Sequence, residues 1–208
     1  MTSPADAFAR AFDVSRETLA RIEIHVALLR KWNPRINLVA PSTLPEVWTR
    51  HVADSAQLWA SRPPDARLWL DLGAGAGFPG LVIAALARAD APGLMLRLVE
   101  SDQRKAAFLS TVAREAGLPV QVFAERWDRL PAQGADVVSA RALAPLSELL
   151  SAVEIHRRPG GLGLFPKGET VHKEIAEASV RWRFDHKLVP SLTNPRAAIL
   201  EIGAIERA

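Results

Sequence analysis

The residues best suited to chemistry lie in one short segment, Asp71-Leu72-Gly73-Ala74-Gly75-Ala76-Gly77-Phe78-Pro79-Gly80. It follows the apolar run Leu68-Trp69-Leu70, and its proline is typical of the first turn of a helix. Glycines allow a tight turn and the close approach of a ligand to the backbone. The free N–H groups and the positive dipole end of the next helix would point at that ligand. The segment therefore predicts a cofactor-binding turn between a strand and a helix.

Two cofactor patterns fit this turn. Gly75 to Gly80 matches the G-x-G-x-x-G of dinucleotide sites. The residues from Asp71 to Gly77 match the acidic-x-G-x-G-x-G pattern of enzymes that use S-adenosylmethionine (SAM). A fixed anion before the glycines repels a pyrophosphate, whereas it suits the ammonium and sulfonium of SAM. We therefore predict a SAM site formed by Asp71, Gly73, Gly75 and Gly77, with helix capping as the alternative role for Asp71.

Glu100 ends the next apolar run, which starts at Leu94. In an α/β sheet of this kind the residue faces the same crevice, where it can accept hydrogen bonds from two ribose hydroxyls. SAM and the dinucleotides both carry ribose, so Glu100 supports the pocket without choosing the cofactor. Its alternative role is to cap the helix predicted from Asp102.

Composition excludes several kinds of chemistry. The 208 residues include no cysteine and no tyrosine, which excludes disulfides, thiolate metal sites, a cysteine nucleophile and any phenol mechanism. No His/Asp/Glu cluster has the spacing of metal ligands, so we expect no metal. The net charge of +3 permits a nucleic-acid partner without demanding one. No apolar run approaches the roughly 20 residues that span a bilayer, and no signal peptide is evident. We therefore expect a cytoplasmic protein with no membrane association.

Alternating strands and helices must position these residues. From Arg67 onward, strands are predicted over 67–72, 94–100, 120–124, 135–140 and 161–165, with helices over 81–89, 102–116 and 145–156 between them. Two further strand-like runs cover 184–189 and 197–205. This alternation predicts an α/β fold with a doubly wound, mostly parallel sheet.

The part before the sheet reads as helical. Leu19, Ile22, Val26 and Leu29 form a helical stripe, and Asn33-Pro34 is expected to end that helix. A second helix is expected over 44–60. The Pro63-Pro64 break then divides the chain into a helical extension, 1–64, packed on a SAM-binding domain, 65–208, the two acting as one unit.

Together these segments resemble the ribosomal RNA small-subunit methyltransferase G family, also called GidB. The resemblance covers nearly the whole chain. It rests on seven motifs spread along the sequence: Lys31-Trp32-Asn33 with Asn37-Leu38, His51-Val52-Ala53-Asp54-Ser55, Asp71 to Gly80 with its Gly-Phe-Pro-Gly ending, Glu100-Ser101, Arg104-Lys105-Ala106-Ala107-Phe108-Leu109, Ser139-Ala140-Arg141-Ala142, and Lys167-Gly168.

The resemblance implies a class I, Rossmann-like SAM-dependent methyltransferase whose sheet has an antiparallel C-terminal strand. It also implies that the enzyme methylates N7 of one guanine in 16S rRNA. The implied SAM contacts are Gly73, Phe78, Trp127-Asp128 and Arg141. The family usually has Arg-Ala-Glu where this chain has Arg126-Trp127-Asp128. Trp127 can stack on adenine or act as a lid or core aromatic, and Ala124-Glu125 offers an alternative register.

Guanine N7 is already a nucleophile, so no general base is expected. We assign Arg141 to orient either the SAM carboxylate or the target base, the base through guanine O6. The alternative is a surface arginine paired with a carboxylate. His51 and Asp54 lie on one helix face and either close over the cofactor, touch RNA or simply pack. The absence of cysteine argues against cytosine C5 as the target, and Ser139-Ala140-Arg141-Ala142 lacks the Pro-Pro loop common among adenine N6 enzymes.

The expected partner is 16S rRNA, within the 30S subunit or an assembly intermediate, and the protein is expected to be a monomer. Candidate RNA contacts are basic or polar side chains around the predicted crevice: Arg10, Arg16, Arg30, Lys31, Arg35, His51, Arg104, Lys105 and Lys167. A solvated helix face, or a solvated turn at Lys167, is the alternative. Three other functions remain open: a nicotinamide oxidoreductase, a SAM-binding protein without transfer, and a methyltransferase with another substrate.

Overall fold

A computed structural model of the protein describes residues 2–208. Seven strands form one sheet in the order β3-β2-β1-β4-β5-β7-β6. Their bounds are β1 Leu68–Leu72, β2 Met95–Val99, β3 Val120–Phe123, β4 Ala135–Ala140, β5 Arg157–Lys167, β6 Trp182–Pro190 and β7 Ala198–Arg207. The pairs among β1 to β5 are parallel, whereas β7 runs antiparallel to both β5 and β6. The predicted α/β class, with its antiparallel C-terminal strand, is confirmed.

Seven helices surround the sheet: α1 Pro4–Ala11, α2 Arg16–Ile36, α3 Asp54–Ala56, α4 Gly80–Asp90, α5 Gln103–Glu115, α6 Leu146–His156 and α7 Val171–Ala178. α3 is the middle of a longer helical stretch, with a π-helical part at Trp48–Ala53 before it and a 3-10 part at Gln57–Ser61 after it. π-helical turns are rare and often lie at functional sites. This one carries His51 and leads directly into Asp54.

Several elements have bounds that differ from the sequence predictions, and one helix was not predicted. α2 continues through Pro34 and ends at Asn37, which has a left-handed φ of 49°. The proline removes the donor for the carbonyl of Arg30, and this is tolerated because both residues are exposed. β5 begins at Arg157 and not at 161, so Pro159-Gly160-Gly161 lies within the strand, where the pairing with β4 shifts register. α7 was not predicted.

The sheet is buried on both faces. In β1, Trp69 packs into one apolar cluster, while Leu68, Leu70 and Leu72 pack into the other. The first cluster joins α4 and α5 to α2 and to Val47, Val52 and Leu58. The second cluster lies under α6 and α7. The helical extension therefore shares the core of one face of the sheet, which brings its side chains to the carboxyl ends of the strands.

Candidate active site at the glycine turn

The glycine turn follows β1 as predicted. Gly73, Gly75 and Gly77 have φ values of 61°, 51° and 84°, a left-handed region that side chains other than glycine rarely adopt. A Cβ placed on Gly73 would lie 2.5 Å from Cδ1 of Leu143. Leu143 belongs to the loop after β4, so this loop packs directly against the turn.

Asp71 lies beneath the turn instead of facing a ligand. Its side chain is fully buried. Oδ2 accepts a hydrogen bond from the Gly80 N–H at 3.0 Å, and Oδ1 accepts one from Ser139 Oγ at 2.6 Å. Burial raises the pKa of this carboxyl to about 7, against the opposing effect of these two hydrogen bonds. This corrects the expectation of a direct SAM contact, because Asp71 ties the start of α4 to β1 and β4.

Glu100 holds two backbone segments together. Oε2 accepts a hydrogen bond from Gly75 N–H and Oε1 accepts one from Asp102 N–H, both at 2.8 Å. The carboxylate thus joins the glycine turn to the start of α5, whose N-cap is Asp102. Each carboxylate oxygen has a second lone pair, so Glu100 keeps acceptor capacity for a ligand hydroxyl.

Phe78 is packed between two histidines. Its ring centroid lies 4.7 Å from that of His25 and 5.1 Å from that of His51, which stacks on it. The Phe78 side chain is buried, so only its backbone is available to a ligand. His25 Nε2 donates to the Ala76 carbonyl at 2.7 Å. Both histidines come from the helical extension, which therefore supports the glycine turn from outside the sheet.

His51 is buried, and the structure corrects its assignment as an RNA contact. Arg141 Nη1 donates to His51 Nδ1 at 2.9 Å, so the ring proton lies on Nε2, which donates to Thr43 Oγ1 at 2.8 Å. Burial, reinforced by the charges of Arg141 and Arg50, lowers the pKa of His51 to about 4. A neutral His51 acting as an acceptor therefore fixes the Arg141 guanidinium.

Arg141 also approaches Asp54 and Phe78. Nη1 lies 3.7 Å from Asp54 Oδ2, and the guanidinium carbon is 5.2 Å from the centre of the Phe78 ring. Arg141 and Asp54 are both largely buried, and burial raises the pKa of the Asp54 carboxyl. The arginine is thus held inside the site by the extension, which excludes a solvated surface position.

Two cavities adjoin at the loop after β4. The smaller, about 170 Å³, is lined by residues of the turn and of the loops after β2 and β3, including Gly73, Ser101, Arg126 and Trp127. The larger, about 670 Å³, is lined by Arg141, Asp54, Arg50 and Lys167, among others. Leu143 and Ala144 line both cavities. The arrangement can hold one ligand over the turn and a second ligand across the Leu143 loop, with a group exchanged between them.

Trp127 and Asp128 have different surroundings, and only Trp127 lines a cavity. Trp127 lines the smaller cavity, and its carbonyl accepts a hydrogen bond from Nε2 of the buried His156 at 2.9 Å. Asp128 is exposed and forms a bidentate pair with Arg126, at 3.0 and 2.7 Å. Only Trp127 is in a position to contact a ligand in that cavity.

The predicted basic residues separate into near and distant groups. Lys167 lines the larger cavity and pairs with Glu174 at 2.6 Å. Arg104 pairs with Asp102 at the start of α5, next to the half-buried Lys105. Five others are exposed but line neither cavity: Arg10, Arg16, Arg30, Lys31 and Arg35.

Several cavity residues were not predicted. Arg50 lies beside His51 in the π-helical part, and Leu143 follows the Ser-Ala-Arg-Ala motif, so both were within reach of the sequence. No pattern in the sequence indicated Gln57, Ser191 and Thr193. Ser191 and Thr193 lie more than a hundred residues from the part of the extension that they contact.

Neither a membrane helix nor a metal cluster is present in the part of the chain that the structure describes. Within residues 2–208, no helix is long and apolar enough to cross a membrane. In the same residues, no three His, Asp or Glu side chains are grouped to hold a metal ion.

Two solved structures that share this fold are methyltransferases by name. The chain matches a SAM-dependent methyltransferase from Aquifex aeolicus with a TM-score of 0.56 at 13% identity, covering 86% of this chain and 97% of that one. It matches mitomycin 7-O-methyltransferase with a TM-score of 0.60 at 17% identity, covering 100% and 74%. At such identities the likeness concerns the fold, which is that of the class I methyltransferases.

The sequence comparison is more specific. The profile described as rRNA small subunit methyltransferase G, GidB, matches residues 18–200. Relatives named ribosomal RNA small subunit methyltransferase G include one from Cereibacter sphaeroides, 49% identical over 99% of both chains. Another, from Rhodospirillum centenum, is 52% identical over 95% of this chain and 89% of that one. The chain belongs to the rRNA small subunit methyltransferase G family.

Proposed function

We propose that this protein is a SAM-dependent methyltransferase that methylates N7 of a specific guanine in 16S rRNA. The observation that carries the proposal is the sequence identity of 49% and 52%, over nearly the whole chain, with relatives named ribosomal RNA small subunit methyltransferase G. The paired cavities on either side of Leu143 support it, because transfer between a cofactor and a large substrate needs two adjoining sites.

The residues around the smaller cavity fit SAM. Gly73 leaves the backbone open toward the cavity, and its left-handed φ admits no side chain without strain. Trp127 lines this cavity and offers a face for the adenine. Glu100 is buried beside the turn, bonded to the Gly75 N–H, and keeps lone pairs for the ribose hydroxyls. Gly75, Gly77 and Phe78 contribute backbone, and Asp71 acts indirectly by holding the turn. The exposed Asp128 supports this loop through Arg126.

SAM supplies a methyl group on a sulfonium. The lone pair of guanine N7 is available without loss of a proton, so the chain needs no general base. Its own contribution is alignment: Arg141, fixed by His51, orients the target base or the cofactor carboxylate at the junction of the cavities. Holding reactants in line can supply about 7–11 kcal/mol of the barrier.

We assign the larger cavity to the RNA. Arg50 and Lys167 line it and can meet phosphate, while Arg104 and Lys105 lie at the start of α5 near Glu100. The five exposed basic residues of α1 and α2 would reach RNA only if the substrate is large. With a net charge of only +3, we expect recognition of a 30S subunit or an assembly intermediate rather than of naked RNA. We place the protein in the cytoplasm, where its rRNA substrate is made, and we propose that it acts as a monomer.

Methyl transfer to ribosomal subunits tests the proposal directly. The purified protein and tritiated SAM are incubated with 30S subunits that lack the modification, and with modified subunits as the control. Label should enter the unmodified 16S rRNA alone. Borohydride reduction and aniline cleavage, which cut at N7-methylguanine, should then map a single site. SAM binding without transfer would contradict the proposal, and label at another atom would contradict its N7 assignment.

A further inference from the structure

One wall of the larger cavity presents a hydrogen-bond acceptor beside hydrogen-bond donors. The acceptor is Asp54 and the donors belong to Arg141, and both side chains are only 20% exposed. Opposite charges this close usually form a direct hydrogen bond, but the shortest separation here is 3.7 Å. The pair is therefore held apart, with polar capacity left toward the cavity.

The two oxygens of Asp54 have different surroundings. Oδ1 accepts hydrogen bonds from Gln57 Nε2 at 2.9 Å and from Thr193 Oγ1 at 3.0 Å. Oδ2 accepts no hydrogen bond from the residues that the structure describes. Gln57 is buried and also accepts the Leu192 N–H at 2.8 Å, so the carboxylate is held rigidly with Oδ2 free.

The guanidinium nitrogens of Arg141 also have different surroundings. Its Nη1 is engaged with His51 Nδ1 and with the Arg50 carbonyl, at 2.9 and 3.4 Å. Nε and Nη2 make no hydrogen bond to any residue between 2 and 208. A base entering the cavity therefore meets free N–H donors next to a free carboxylate oxygen.

This pattern is complementary to one edge of guanine. Guanine carries the O6 acceptor beside the N1–H and N2 amino donors, whereas adenine has an N6 amino donor beside the N1 acceptor. N7 lies on the five-membered ring, on the side away from N1 and N2. A guanine whose N1 and N2 face Asp54 can thus turn N7 toward Leu143 and the smaller cavity.

We propose that Asp54 is a specificity-determining residue that accepts hydrogen bonds from N1–H and the N2 amino group of the target guanine. Arg141 lies beside O6 in this arrangement. The inference rests on the proposed function and adds to it the group that recognises the base. Adenine would place its N6 amino group against a cation and its N1 lone pair against an anion.

Asp54→Asn is the sharpest test because it preserves the shape of the side chain. The donors from Gln57 and Thr193 fix the amide with its oxygen toward them, so its NH2 group replaces Oδ2 in the cavity. A donor would then face the donors of guanine. The hydrogen bonds from Gln57 and Thr193 stay intact, whereas the attraction between Asp54 and Arg141 is lost, so the melting temperature and the SAM dissociation constant are measured to show that the variant folds and binds the cofactor.

The assay compares 30S subunits reconstituted with guanosine or inosine at the target position, since inosine lacks only the 2-amino group. The unaltered protein should prefer guanosine in kcat/KM by about tenfold or more, the value of a hydrogen bond to a charged group. Asp54→Asn should lower kcat/KM for guanosine and bring the ratio to about one or below. Glu174→Gln, which alters another carboxylate of the same cavity, should leave the ratio unchanged.

The outcomes separate the two proposals. A merely structural role for Asp54 would lower both activities equally, and an unchanged guanosine-to-inosine ratio in Asp54→Asn would overturn the inference alone. Failure of the unaltered protein to methylate the guanosine subunit would overturn the proposed function, and the inference with it.

Discussion

Arg141 joins the helical extension to the site. It donates to His51, lies near Asp54 and covers the Phe78 ring. The resemblance pointed to Arg141 because it follows a buried strand. The partners that hold it come from the π-helical part and from α3, and no local signal showed which way their side chains face.

Arg141→Ala should reduce kcat/KM for 30S methylation at least about tenfold, because a hydrogen bond to a charged group contributes about 1.5–3 kcal/mol. The fold should persist, since the guanidinium is not part of either apolar cluster. Turnover is measured together with circular dichroism. Arg88→Ala, at the exposed end of α4, is the control. Full activity in the Arg141 variant would contradict the role of this residue in methyl transfer.

The buried neutral His51 predicts a pH effect on stability. Its pKa is about 4 in the folded protein and 6.5 as a free side chain. Between these values the unfolded chain binds the proton and the folded chain does not, so the free energy of unfolding falls as pH falls. The loss is at most about 1.4 kcal/mol per pH unit.

His51→Asn isolates this contribution, since the Asn oxygen can still accept from Arg141. Urea unfolding is measured at steps from pH 7 to about pH 3, which passes below the folded pKa of about 4. The stability difference between the unaltered protein and the variant should shrink as pH falls from 6.5 to 4. It should then stay constant, and a difference independent of pH would contradict the prediction.

The strand–turn–helix element depends on close contact under the turn. A Cβ on Gly80 would lie 2.7 Å from Asp71 Oδ2 and would collide with Leu98. The sequence pattern located this element correctly from β1 to α4. It suggested that Asp71 faces the ligand, because spacing gives the position of a carboxylate and not the direction in which it points.

Gly80→Ala should destabilise the fold by about 1–3 kcal/mol, as overpacking of a filled core does. Gly168→Ala is the matched control, because a Cβ there meets nothing within 4 Å. Thermal unfolding of both variants checks the prediction. Equal melting temperatures would show that the contact under the turn can relax.

Glu100→Ala should raise the SAM dissociation constant about tenfold or more. It removes the ribose acceptor and also frees the backbone N–H groups of Gly75 and Asp102. Calorimetric titration measures the affinity. Glu115→Ala, at the far end of α5, should bind SAM normally. Unchanged affinity in the Glu100 variant would contradict the ribose assignment.

In the molecule as a whole, the larger cavity is closed by a contact between two segments that are far apart in the sequence. Gln57 accepts the Leu192 N–H, and its amide donates to Asp54 and to Ser191. The alternation of strands and helices, and with it the mostly parallel sheet, could be predicted from the sequence because hydrophobic periodicity is local. This contact could not, because nothing near Gln57 indicates which turn lies opposite it.

Gln57→Ala should cost about 1–3 kcal/mol of stability, the penalty for leaving buried partners unpaired. It should also reduce guanosine preference over inosine, since Asp54 loses one of the two donors to Oδ1. Urea unfolding and the 30S assay measure the two effects. Gln121→Ala, exposed on β3, is the control. If the variant lost stability but kept the full preference for guanosine over inosine, the contact between Gln57 and Leu192 would have no part in base recognition.

The contact between Gln57 and Leu192 also makes the surroundings of Asp54 depend on a segment that is synthesised late. During synthesis, the glycine turn and its first strands leave the ribosome long before residues 191–193. Asp54 can reach its observed hydrogen-bonding arrangement only when residues 191–193 have folded back against the extension. A chain truncated before residue 191 would therefore keep the glycine turn but lack the partners that orient Asp54.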